Sequence, residues 1–461
     1  MLISAICYNH NMKKNDEIII NIDDIGSEGE GICHFDGITI FVPFALPGEK
    51  CKIHILKVDK TIAWAKLIGV VDQSKERVIA PCPYFKKCGG CTLQHASRHY
   101  QIKCKRQKIQ TALYKYSGIK DINIDMIDSN LDYFYRNKCA FPIREINGKP
   151  SVCMFKINSH EIVKIDKCLI AQPIINNVIN IFNEFLEKYN ISAYNEQTNQ
   201  GLIKFLVIRT LQESVLITIV INGNSLPNKN ELINMFSAKL HSFGLNLNIN
   251  TANNNVILSN EFEYLYGLRQ LEGRENNISY PISSNSFMQV NDFIKNQIYN
   301  SVIEKFNQND VVIDAYSGAG LLSAQLSKKV KHVYGIEIIE AATKNANELK
   351  TANNIQNLTN INGDCAKILP ELVLGLKDED ISIVLDPPRK GAEKRVLESI
   401  VKANIHKVVY ISCNPATLAR DIKILKDNGY ILSSVCGYNM FPQTGHVETV
   451  AVICKNNNLN T

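Results

Sequence analysis

No apolar run in this chain approaches the roughly 18 residues of a membrane span, which excludes a helical membrane protein. The opening MLISAICYNHNMKKNDE carries its lysines after the apolar stretch rather than before it, so it lacks the order of a secretory leader. A cytoplasmic location without a membrane partner is expected. No internal repeat is present to suggest a solenoid. The formal charge of +6 over 461 residues is too small to imply a polyanionic partner by itself, and the composition of 45% hydrophobic and 21% charged residues excludes a disordered chain. A chain of this length exceeds what one core supports, so at least two domains are expected.

Cysteine is plentiful, with 14 residues, and without an export signal these point to thiol chemistry or metal ligation rather than disulfides. The charge is also uneven. Between Cys82 and Gln110 stand Lys86, Lys87, Arg98, Lys103, Lys105, Arg106 and Lys108, with no Asp or Glu. Such a block is a candidate phosphate-contacting surface, with a solvated helix face as the alternative.

Three regions follow from the patterning. Residues 13–71 alternate short β-type runs with Gly and Pro turns; apolar Cys51, Ile53 and Ile55 alternate with Lys52 and His54, which predicts a small β-barrel. Residues 72–285 mix strand-like and amphipathic runs and read as a central α+β domain. In residues 286–461 apolar strands ending in polar loops alternate with helices, the grammar of a Rossmann-like α/β domain whose ligands lie beyond the carboxyl ends of the strands.

At such an end, VVIDAYSGAG delivers Asp314 and then a Gly318-x-Gly320 turn, suited to close backbone approach by a ligand. Glu337, 23 residues after Asp314 at the next strand tip, can accept both hydroxyls of a ribose, and Asp364 at the third tip is within reach of an adenine. A dinucleotide-binding domain fits these features almost as well. Against it stand the missing third glycine after Gly320 and the DPPR and cysteine motifs on later strands. An acid-lined site with a compact turn suits S-adenosylmethionine (SAM).

Cys413 ends the strand in VVYISCNP and precedes a helix, a placement that lowers a thiol pKa; the alternative is a buried structural cysteine. Beside a methyl donor, a thiolate has a specific use, because adding sulfur to carbon 6 of a pyrimidine makes carbon 5 nucleophilic. The proton on carbon 5 must then be removed, and Glu448 in FPQTGHVETV is the favoured base over His446.

The motifs SSNSFMQVN (283–291), DAYSGAG (314–320), DPPRKG (386–391), ISCNPATLARD (411–421) and FPQTGHVETV (441–450) resemble those of the RNA uracil-5 methyltransferases. The resemblance implies that Gln289, Tyr316, Glu337 and Asp386 contact the cofactor or the target base, that Cys413 is the nucleophile and that Glu448 is the base. It puts Ser317 and Leu321 at positions where relatives often differ. By the same resemblance residues 13–71 are similar to a TRAM RNA-binding domain, and Cys82, Cys88 and Cys91 with Cys168 form a 4Fe-4S site, zinc being the physical alternative. Cys168 is chosen on that basis over Cys104, Cys139 and Cys153. The implied activity is 5-methyluridine formation in 23S ribosomal RNA by a monomer with no obligate protein partner. A transfer RNA substrate and an inactive RNA-binding assembly protein are the alternatives. A DNA cytosine-5 methyltransferase is opposed by the lack of its Pro-Cys motif.

Overall fold

The alternation of apolar and polar residues near the start of the chain sorts them onto two faces of one sheet. In the computed structural model, which describes residues 12–129, 131–286, 288–376 and 379–456, this sheet belongs to the first of two units. That unit runs to residue 104 and includes 443–446. Most of the opening segment weighed above as a leader falls at residues 1–11, outside the described residues. Among the described residues no helix is long and apolar enough to cross a membrane.

The sheet contains β1 (Glu17–Asn21), β2 (Asp24–Ile25), β3 (Gly31–Phe35), β4 (Ile38–Val42), β5 (Lys50–Val58) and β6 (Ile62–Asp72) in the order β1-β5-β6-β4-β3-β2. Pairing is antiparallel except between β4 and β6. Cys51, Ile53 and Ile55 are fully buried on one face with Ile40, Val42 and Ala63, as the period of two requires. The strands form six rungs of a mixed sheet, and among the described residues its edge strands β1 and β2 share no ladder. Behind them, buried Glu49 pairs with Arg77, whose Nη2 also donates to the Phe44 carbonyl at 2.8 Å, pinning the start of the cysteine-bearing segment.

The chain passes into the second unit within α1 (Arg98–Ala112). Here the expectation of an all-surface basic block needs correction. Lys105 is 1% exposed, and its ammonium donates to the Phe441 carbonyl at 2.9 Å and to the Asn439 side chain. It is a satisfied interior cation; Lys103 and Arg106 are the exposed members nearby.

Two sheets organise the second unit. One has seven strands, formed by β8 (Lys138–Ile146), β9 (Lys149–Phe155), β10 (Ile162–Lys164), β11 (Ile203–Leu211), β12 (Ser214–Ile221), β13 (Phe243–Ile249) and β14 (Phe262–Gly267), in the order β10-β9-β8-β11-β12-β13-β14. The other contains β7 (Ile124–Ile127), β17 (Val311–Ala315), β18 (His332–Glu337), β19 (Leu358–Asn362), β20 (Ile381–Leu385), β21 (Lys407–Ser412), β22 (Tyr430–Tyr438) and β23 (Glu448–Lys455), ordered β19-β18-β17-β20-β21-β23-β22-β7; a hairpin of β15 (Leu271–Glu275) and β16 (Ile278–Ile282) stands apart. Strands β19 to β21 run parallel and β23 is antiparallel to β21. Apolar residues cover both faces of this sheet, so its central strands are buried on both sides.

Candidate active site

The parallel strands deliver their polar residues to one edge. At the end of β17, Tyr316 adopts φ 68°, and Gly318 and Gly320 adopt 56° and 78°. A Cβ at Gly320 would come within 2.7 Å of the Ala346 Cβ, so the turn needs glycine there for space as well as for backbone angle. Glu337 at the end of β18 closes this turn, accepting from Gly318 N at 3.0 Å and from Ile339 N at 2.8 Å. The following Ile338 and Ile339 are 65% and 61% exposed, an apolar shelf that the sequence motifs did not single out.

Asp314 accepts from the Ser323 hydroxyl, and burial, opposed by this hydrogen bond and reinforced by the charge of Glu337, pushes its pKa up to about 7. Asp386, just beyond β20, is likewise pushed up to about 7 by burial and then by Asp314. Asp364 begins α7 (Cys365–Gly375), where its Oδ1 accepts from Ala366 N at 2.9 Å as the helix cap. Gln289 lies between β16 and α4 (Asp292–Ile303), and its carbonyl accepts from the Asn137 side chain at 3.1 Å.

Cys413 and Glu448 emerge at the same sheet end. The β21–β23 ladder places Ser412 opposite Thr449, so the next residues along it are Cys413 and Glu448. Glu448 is 5% exposed; burial and the charge of Asp386 push it up to about 8, while Arg389 pulls it down. The expectation of a helix-lowered thiol is corrected here, since burial and the Glu448 charge raise the Cys413 pKa and Arg389 opposes them. The start of α9 (Pro415–Lys426) does little to oppose them: Pro415 has no amide hydrogen and the Ala416 amide is taken by Asn414 Oδ1 at 3.1 Å, so few donors are left for a thiolate. His446, the competing base, sits in the first unit with its Nε2 3.8 Å from Glu28 Oε2.

Three supporting residues were assigned no role from the sequence, although Asp421 closes the ISCNPATLARD motif. Arg209, 1% exposed on β11, donates from Nε to the Ser284 carbonyl at 3.1 Å and from Nη2 to the Ser286 carbonyl, holding the loop before Gln289. Asn137 holds the same loop at Gln289 and Val290. Asp421, fully buried, accepts from Tyr410 Oη at 2.7 Å and Ala392 N at 2.9 Å and fixes the end of the DPPRKG loop.

The residues present fit SAM. They include the glycine-dependent turn, the carboxylates of Glu337 and Asp364, and the buried Tyr316 hydroxyl. Cys82, Cys88 and Cys91 belong to the first unit and Cys168 to the second. Among the described residues no group of three or more His, Cys, Asp or Glu is arranged to hold a metal ion.

Residues 97–456 match the sequence profile of the tRNA (uracil-5-)-methyltransferase family. The chain belongs to the RNA uracil-5 methyltransferases. Membership carries SAM-dependent methylation of RNA as its class of activity. The chain is 38% identical over 452 residues to an uncharacterized RNA methyltransferase of Clostridium acetobutylicum, covering 96% of this chain and 98% of that protein. It is 34% identical over 448 residues to another from Halalkalibacterium halodurans, with the same coverage of both. Its fold is similar to the crystal structure of Pyrococcus abyssi tRNA (uracil-54, C5)-methyltransferase with S-adenosyl-L-homocysteine, with a TM-score of 0.77 and 25% identity over 95% of this chain and all of that one. For this methyltransferase the acid-lined turn and the thiol therefore share one sheet edge, as the strand-end argument anticipated.

Proposed function

We propose that the protein methylates carbon 5 of a uridine in 23S ribosomal RNA through a covalent adduct on Cys413. The observation that carries the chemistry is the ladder placement of Cys413 beside Glu448, with Asp386 and Arg389 acting electrostatically on both, and the choice of 23S ribosomal RNA rests on the family resemblance. SAM supplies the methyl group when bound, and Gln289, Tyr316, Glu337, Asp364 and Asp386 are the residues that hold it or the target base. Cys413 adds its sulfur to carbon 6, and the displaced ring electrons make carbon 5 the nucleophile. Arg389 supplies the charge that favours the thiolate. Once carbon 5 carries the methyl group, the Glu448 carboxylate removes its proton and the ring electrons expel the sulfur, restoring the thiolate.

A transfer RNA uridine is the second reading, favoured by the structural likeness to the Pyrococcus abyssi enzyme. In either case the six-stranded first unit serves as a TRAM-like RNA-binding module and the protein acts as a cytoplasmic monomer. The 4Fe-4S reading of Cys82, Cys88, Cys91 and Cys168 rests on the family resemblance, their spacing suiting zinc equally, and no catalytic step passes through it.

Purified Cys413→Ala should lose all methylation of total RNA from a deletion strain while still binding S-adenosylhomocysteine. Mapping 5-methyluridine in ribosomal and transfer RNA from that strain identifies the substrate. Turnover by the alanine variant rejects the mechanism.

A further inference from the structure

Beside the loop that presents Gln289 stands a group of three cations that the chemistry above does not use. Arg209 on β11 lies directly opposite Lys138 on β8 in an antiparallel ladder. Cross-strand partners share a sheet face, and like charges so placed destabilise the pair. Arg136 adds a third charge, near enough to Lys138 that both arginines, after burial, push the Lys138 pKa down to about 8. None of the three is ion-paired to a carboxylate among the described residues. The nearby Asp292 is engaged elsewhere, accepting from the Asn137 side chain at 2.9 Å and from buried Lys295 at 3.4 Å.

The second observation concerns Arg209 itself. Its Nε and Nη2 hold the Ser284 and Ser286 carbonyls, but its Nη1 is buried with no hydrogen-bond partner among the described residues. A buried charge-bearing donor left unpaired costs more than an ordinary hydrogen bond returns. An anion at this place would remove both that cost and the repulsion between opposed cations. Phosphate suits it, because guanidinium groups bind phosphate oxygens with charge-assisted bonds.

We propose that Arg136, Lys138 and Arg209 form a phosphate site that takes a backbone phosphodiester of the substrate RNA next to the target uridine. This inference rests on the reading of the chain as an RNA uridine methyltransferase. A target nucleotide taken out of its stack must be held by its backbone while the base is in the pocket. A cationic site against the Gln289 loop would supply that hold and register the base.

The test uses the full-length protein and a fluorescent single-stranded oligoribonucleotide containing one uridine. Anisotropy is recorded over a potassium chloride series in the presence of S-adenosylhomocysteine. Lys138→Gln should weaken RNA binding about tenfold and reduce the salt slope by about 0.7, the value for one phosphate contact on a single strand. Lys138→Arg should restore both, and S-adenosylhomocysteine affinity should stay constant. Arg136→Gln serves as a second variant if Lys138→Gln melts at a lower temperature than wild type. Unchanged RNA affinity and slope in a folded variant overturn the site, and so does a loss of S-adenosylhomocysteine binding, which would assign the cations to the cofactor carboxylate. If the slope falls as expected but wild type methylates no uridine, the phosphate site stands and the uridine reading fails. If methylation is seen and the slope does not move, the reverse holds.

Discussion

Asn414 Nδ2 donates to the backbone carbonyl of Arg389 at 3.2 Å while its Oδ1 accepts from Ala416 N at 3.1 Å. One side chain therefore caps α9 and ties the DPPR loop to the turn that carries Cys413. Thr417 Oγ1 reaches the same carbonyl at 3.4 Å, and Arg420 Nη2 donates to the Lys390 carbonyl at 3.0 Å, so the loop has further anchors on this helix besides Asn414 and Asp421.

Replacing Asn414 by Ala should cost about 1 kcal/mol of stability through the lost cap. It should also lower kcat more than it raises the KM for SAM, since Arg389 is then held less firmly relative to Cys413. Thermal denaturation and steady-state kinetics measure the two effects separately. An unchanged kcat would mean that the remaining anchors at Thr417, Arg420 and Asp421 suffice.

Glu448→Gln retains the shape of the side chain but cannot accept the proton from carbon 5. Sulfur addition and methyl transfer should proceed and resolution should stall, so a protein–RNA adduct should accumulate. Denaturing electrophoresis would show it as a slow band. Turnover without an adduct would move the role of base to another group or to water.

The pH dependence has opposite signs for activity and stability. Glu448 must be ionised to act as base and Cys413 must be a thiolate to attack; burial pushes Glu448 up to about 8 and raises Cys413, so kcat should climb from pH 7 to beyond 8. Stability runs the other way. Asp314 and Asp386 at about 7 and Glu448 at about 8 all lie above their ordinary values near 4, so the folded protein binds more protons than the unfolded chain in that interval. The contribution of these groups is complete below about pH 4 and is lost as pH rises through 7 and 8. Comparing melting temperatures of wild type and Glu448→Gln across pH 5 to 9 checks this, because the variant should decline less.

The cysteine reading is decided by elemental analysis. Protein purified without oxygen should contain about four iron atoms per chain and be brown if Cys82, Cys88, Cys91 and Cys168 hold a 4Fe-4S cluster. Stoichiometric zinc without iron or sulfide would assign a zinc site, and neither metal would leave the four as thiols. Cys91→Ser should then affect folding or RNA binding rather than the methyl-transfer chemistry.

What the sequence determined by itself was the site edge. Apolar strands alternating with helices are a local pattern, and right-handed crossovers bring the carboxyl ends of parallel strands to one side. The positions of Asp314, Glu337, Asp364, Asp386 and Cys413 at one edge therefore follow from residues near each of them. The buried alternation of Cys51, Ile53 and Ile55 was legible for the same reason, because a period of two needs no distant partner.

Tertiary structure decided what depends on distant partners. Lys105 reads as a surface charge in its basic stretch, yet Asn439 and Phe441, more than 330 residues away in sequence, make it an interior cation. Arg209 and Asn137 support the Gln289 loop only because β8 and β11 lie under it. The direction of the Cys413 shift was likewise a tertiary matter. Its place before a helix is local and favours the thiolate, but burial and a carboxylate delivered by β23 outweigh a helix start whose first donors are already absent or capped.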